Sequence, residues 1–134
     1  MNLSLFETLR KDVMKILKES LPENLFYHSP EHTLDVIEST ERIALAEHCS
    51  TEEILLLKTA GLFHDTGYTR DMREHEKHGC DIAMEMLSSQ GVDQKEIIII
   101  CGLIMVTKVP QSPKTKLEEI ICDEIGRASC RERV

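Results

Sequence analysis

Apolar residues recur every three or four positions along most of this chain, which is the spacing of helices that bury one face. The first segment shows the pattern clearly, with apolar side chains at Leu5, Phe6, Leu9, Val13, Ile16 and Leu17. A chain of 134 residues fits one domain with a modest core. The spacing therefore predicts an all-α fold, a compact single-domain bundle of five to six helices.

Helix start and stop signals set the expected boundaries. Ser29-Pro30 offers an N-cap followed by a proline in the first turn, Ser50 or Thr51 caps the third helix, and Asp93 caps the fifth. The polar stretch 66–73 is expected to be a loop. The predicted helices cover residues 3–19, 30–48, 51–65, 74–91, 94 to the loop around Pro110, and 114–123.

The run of four isoleucines at 97–100 is ambiguous by itself, because it also suits a buried strand. The preceding DQKE and the lack of a strand partner elsewhere favour a buried helix. We expect the isoleucines and Met105 to lie in the core.

The bulk properties exclude several classes of protein. A net charge of −8 argues against nucleic acid as a partner, although a local metal ion would still allow a small anionic substrate. The apolar run 97–106 is about half the length that spans a bilayer, and the first residues carry charges rather than a signal sequence. The five cysteines are scattered without a CxxC pair. We therefore expect a soluble cytoplasmic protein with reduced thiols and no membrane partner.

The last eleven residues, EIGRASCRERV at 124–134, continue none of these patterns. They match one reading frame of a common sequencing-library adapter, residue for residue. We therefore expect the natural domain to occupy residues 1–123, truncated at its C-terminus, and residues 124–134 to be an adapter-derived tail without function.

Four residues are candidate metal ligands: His32, His64, Asp65 and Asp123. Imidazole nitrogens together with carboxylate oxygens suit Mn, Mg, Fe, Co or Zn rather than ions that prefer thiolates. His64 and Asp65 are adjacent, and they can converge at a helix end where Gly67 eases the turn. A His-Asp pair alone is weak evidence, since a structural histidine is the more common explanation of such a pair by itself.

The segments around these residues are more specific. YHSPEHT at 27–33, AGLFHDTGY at 60–68, HEKHG at 75–79 and LEEIICD at 117–123 occur in this order. Together they resemble the HD-domain superfamily of metal-dependent phosphohydrolases, whose pattern is H…HD…D. The first segment is similar to the YHxxxH element of cyclic-nucleotide phosphodiesterases, which share the helical core. The resemblance covers about residues 25–123.

The resemblance implies that His32, His64, Asp65 and Asp123 hold one divalent metal, and that His28 protonates the leaving oxygen. Phosphate ester hydrolysis needs these parts, because a metal lowers the pKa of bound water and a nearby histidine supplies a proton. The predicted function is metal-dependent hydrolysis of a phosphomonoester or phosphodiester, with a small phosphorylated substrate, a nucleotide, as the partner. Metal-bound water would attack phosphorus, and Asp65 would also orient it.

His75 lies where some family members hold a second metal, and we treat it as a candidate ligand of a second site. The expected next helix carries no histidine, so one tightly held metal is favoured. Two alternatives stay open: a non-catalytic nucleotide-sensing or regulatory HD domain, and a di-iron oxygenase of the same fold. The oxygenase requires more histidine ligands than this sequence offers.

Overall fold

The computed structural model describes residues 1–21, 29–108 and 111–132, with side chains up to Glu124. These residues form six α-helices and one short 3₁₀ helix, and no strand occurs among them, which confirms the predicted all-α fold. The helices are α1 Leu3–Ser20, α2 Pro30–Ala46, α3 Thr51–Phe63, α4 His75–Ser89, α5 Gln94–Met105 and α6 Lys116–Glu132. No helix in these ranges is long and apolar enough to cross a membrane.

The predicted caps are present and fix where the helices begin. The Ser29 hydroxyl accepts a hydrogen bond from the His32 amide at 3.2 Å, with Pro30 in the first turn of α2. At the start of α3, Ser50 and Glu53 form a capping box through hydrogen bonds of 2.8 and 3.1 Å. Each side chain satisfies a backbone N–H that the helix leaves unpaired. The bond to Ser29 fixes the backbone of His32 in the first turn of α2.

Helix α3 is the centre of the bundle. Its sequence is apolar on nearly every face, and α1, α2, α4, α5 and α6 all pack against it. Leu57, Ala60, Leu62 and Phe63 are completely buried. The chain leaves α3 at His64, so the residues that follow begin inside the bundle rather than at its surface.

Two local expectations need correction here. Residues 66–69 form a 3₁₀ helix, Thr66–Thr69, instead of an irregular loop, and the Thr66 hydroxyl bonds the Phe63 carbonyl at 2.7 Å. Helix α6 continues to Glu132 rather than ending at Asp123. This continuation does not test whether residues 124–134 are foreign.

The isoleucine run is helical, but it is buried on one face only. Ile97 and Ile100 lie in the core, whereas Ile98 is 61% exposed, Ile99 43% and Met105 40%. Helix α5 packs against α3, α4 and α6 and leaves its remaining face outward. Four consecutive side chains point around the whole circumference of a helix, so they cannot all face the core.

Candidate metal centre

Three of the predicted ligands come together where α2 meets the end of α3. One ligand atom each from His32, His64 and Asp65 lies within 4.8 Å of the other two. The Asp65 Oδ2 is 3.2 Å from His64 Nε2 and 3.8 Å from His32 Nε2. His64 and Asp65 are only 4% and 2% exposed. Two imidazoles and one carboxylate thus converge on a buried point.

The orientation of His64 is set by the backbone of its own helix. His64 Nδ1 lies 2.6 Å from the carbonyl oxygen of Gly61. A carbonyl oxygen only accepts, so Nδ1 carries the hydrogen, and in the neutral ring the lone pair of Nε2 faces Asp65. A lone pair and a carboxylate oxygen at 3.2 Å repel each other unless a cation lies between them. A proton on either side chain or a metal ion between them meets that need.

The donor set fits a divalent metal. A histidine that ligates a metal through one nitrogen ordinarily donates its other N–H to a carbonyl or carboxylate, as His64 does to Gly61. The rings of His32 and His64 have centroids 6.0 Å apart and planes inclined at 60°, so they approach the shared point from different directions. Two nitrogens and one oxygen suit Mn, Fe, Co, Zn or Mg.

The turn that carries Asp65 is held by close contact with α4. A Cβ on Gly67 would collide with the backbone carbonyl of His75 and lie 2.8 Å from the Gly79 nitrogen. A Cβ on Gly79 would lie 3.1 Å from the Phe63 carbonyl oxygen. Both glycines therefore let two backbones touch. The sequence had suggested that Gly67 eases the turn through its conformational freedom. Its φ is not positive, so the glycine serves this backbone contact instead.

His75 lies near the centre but outside the three-residue cluster. Its Nε2 is 2.7 Å from the Glu76 carboxylate, and its ring stacks on Tyr68 at 4.1 Å with planes inclined at 14°. Neither Tyr68 nor Glu76 was predicted to have a role, although the adjacent His75 and Glu76 in HEKHG could have signalled their contact. The assignment of His75 to a second metal site stays a prediction.

Two further assignments also stay predictions. Asp123 lies on α6, its residue is exposed, and the cluster found among the described residues does not include it. His28 lies outside the described residues. Asp65 is thus the carboxylate that the structure brings to the two histidines.

These features describe an all-helical protein with a candidate His-His-Asp metal centre at a helix end. A family model for the HD domain matches residues 31–125, a span that contains all three clustered residues and Asp123. The chain belongs to the HD domain family.

Comparison with solved structures gives the same fold. The chain is similar to a predicted HD superfamily hydrolase from an uncultured Thermotogales bacterium, with a TM-score of 0.70 and 20% identity over 99% of this chain and 82% of that one. No curated protein matches the sequence.

Proposed function

We propose that this protein is a divalent-metal-dependent phosphohydrolase that acts on a phosphomonoester or phosphodiester of a nucleotide. The observation that carries the proposal is the buried pairing of His64 Nε2 with Asp65, together with His32 at the same point. An arrangement that directs two imidazole nitrogens and a carboxylate at one place is suited to a cation. Membership of the HD domain family supports a metal there, and the name of the Thermotogales neighbour supports hydrolysis.

The residues of the chain divide the work. When bound, a divalent ion lowers the pKa of water and withdraws charge from a phosphoryl oxygen. His32 and His64 bind through nitrogen, and Gly61 keeps the His64 ring in one orientation. Asp65 supplies negative charge at a site 2% exposed to solvent and accepts a hydrogen bond from the attacking water. His28 donates a proton to the leaving oxygen.

A bound cation would also reduce the repulsion between this acidic chain and an anionic substrate. The net charge of −8 repels an anionic substrate from most of the surface. A divalent ion at the cluster offsets the Asp65 carboxylate and leaves a positive site for a phosphate. Both substrate binding and turnover are therefore expected to require the metal.

The test measures release of p-nitrophenol from bis-p-nitrophenyl phosphate and of phosphate from a panel of nucleotides, with and without Mn²⁺. We expect turnover that depends on Mn²⁺ and falls at least about 1,000-fold in Asp65→Ala. Asp35→Ala is the matched control, because Asp35 is an exposed carboxylate on α2. Activity in Asp65→Ala equal to that of the wild type overturns the proposal. Tight Mn²⁺ and nucleotide binding without turnover of any substrate would instead favour a nucleotide sensor.

A further inference from the structure

Two cysteines face each other where α4 and α5 pack together. The Cys80 Sγ lies 3.4 Å from the backbone carbonyl oxygen of Cys101, and the Cys101 Sγ lies 3.8 Å from that of Cys80. Contacts that are reciprocal in this way require the two residues to lie directly opposite one another, with both thiols between the helices. Neither cysteine belongs to the cluster of His32, His64 and Asp65.

The two thiols differ in exposure and in acidity. Cys80 is 7% exposed, whereas Cys101 is half-buried. The hydrogen bond with the Cys80 thiol lowers the pKa of Cys101. The same hydrogen bond and burial raise the pKa of Cys80. Next to Cys101, Gly102 is exposed and has open space where a side chain would stand, so small solutes reach this side of α5.

We propose that Cys80 and Cys101 are a two-electron oxidation site, at which a peroxide converts the two thiols into an intramolecular disulfide between α4 and α5. The accessible Cys101 reacts first, because the thiolate is the nucleophilic form and exposure favours attack. Cys80 then resolves the product. One accessible sulfur beside one buried sulfur suits a small oxidant such as a peroxide, which reaches Cys101 and leaves Cys80 to resolve the product.

The chemistry balances in two steps. The Cys101 thiolate sulfur attacks one peroxide oxygen, the O–O bond breaks, and a sulfenic acid and an alcohol or water form after protonation. The Cys80 sulfur then attacks the sulfenic sulfur, an S–S bond forms, and the S–O bond breaks with loss of water. Overall two thiols and one peroxide give one disulfide, one alcohol or water, and one water. The peroxide is reduced as the sulfurs are oxidised.

The disulfide would join α4, which contacts the turn that carries Asp65, to α5. Cys80 follows Gly79, whose backbone packs against Phe63 at the end of α3. Cys101 lies on α5, which packs along α3 and α4. The bond would therefore fix α4, the helix that holds the Asp65 turn, against α5.

The experiment uses the full chain with Cys130→Ser, which removes the one cysteine outside the described side chains. The protein is treated with hydrogen peroxide, blocked with N-ethylmaleimide and analysed by intact mass and peptide mapping. We expect loss of two hydrogen atoms, a cross-linked pair of peptides containing Cys80 and Cys101, and reversal by dithiothreitol. Cys80→Ser is expected to leave a sulfenic acid at Cys101 that dimedone traps.

The controls are the remaining thiols. Cys49 precedes α3 and Cys122 lies on α6, outside the contact between α4 and α5, and burial raises the pKa of both. Cys49→Ser and Cys122→Ser are therefore expected to leave the cross-link and its rate unchanged. Mapping of the wild-type pair does not depend on whether any variant folds. A disulfide between other cysteines, or a sulfinic acid at Cys101 without a cross-link, would overturn the proposal.

Discussion

His64 donates its Nδ1–H to the carbonyl oxygen of Gly61 at 2.6 Å, one turn back on the same buried helix. This bond makes the orientation of the imidazole a property of α3 itself. A Cβ on Gly61 would meet only side-chain atoms of α2, at ordinary contact distance. The candidate metal centre therefore depends on the integrity of α3 and of the turn that follows it.

Gly67→Ala is expected to destabilise the protein by about 3 kcal/mol or more, because the added methyl would collide with the α4 backbone. Urea unfolding followed by circular dichroism measures the change. Gly102→Ala is the matched control, since open space surrounds that position in α5 and alanine favours a helix by up to about 1 kcal/mol. Equal stability of the two variants would show that the contact between the Asp65 turn and α4 is not tight.

The capping box at the start of α3 predicts that the stability of the protein depends on pH. Hydrogen bonds from the Ser50 amide and hydroxyl lower the pKa of Glu53 below its ordinary value of 4.5. A carboxyl whose pKa is lowered by folding contributes stability above its unfolded pKa and loses it as the pH falls through the folded pKa. The stability difference between the wild type and Glu53→Gln should be largest above about pH 5 and shrink toward pH 3. A difference that grows as the pH falls is incompatible with this cap.

The predicted proton donor, His28, is tested through the leaving group. His28→Asn should lower turnover by about 100-fold for a substrate that leaves as an alkoxide, since general acid catalysis is typically worth that much. With p-nitrophenolate, which leaves without a proton, the loss should be much smaller. Steady-state assays on a nucleotide and a p-nitrophenyl ester measure both. Equal losses on both substrates would assign His28 another role.

Substitution of His75 tests whether the protein binds one metal ion or two. Its 2.7 Å contact with Glu76 and its stacking on Tyr68 account for its position without a second ion. We expect elemental analysis of the Mn²⁺-loaded protein to find one metal per chain in the wild type and in His75→Gln. Two irons per chain in the protein as purified would favour the oxygenase alternative. Two manganese ions in the wild type and one in His75→Gln would establish a second site.

The sequence predicted the helices well because their signals are local. Ser29-Pro30, Ser50 and Asp93 act within one helical turn, and each caps the helix expected of it, with Ser50 rather than Thr51 at the start of α3. The cluster of His32 with His64 and Asp65 followed from the family pattern, which carries information about contacts between helices that spacing along one helix lacks.

Other features depend on tertiary contacts and could not be predicted locally. The reason for Gly67 is the approach of α4, which no pattern around Gly67 records. The exposure of Ile98 follows from which face of α5 meets its neighbours, and that is decided by the whole bundle. Tyr68 acquires its histidine partner only when the 3₁₀ helix folds against α4.

Isothermal titration of the EDTA-treated protein with Mn²⁺ tests the metal centre most directly. We expect one ion per chain, with affinity reduced at least about 100-fold in His32→Asn, His64→Asn and Asp65→Asn. His48→Asn should bind like the wild type, because His48 is exposed beyond the far end of α2. Circular dichroism checks that each variant is folded. Folded triad variants that bind Mn²⁺ as tightly as the wild type would contradict the assignment of His32, His64 and Asp65 as metal ligands.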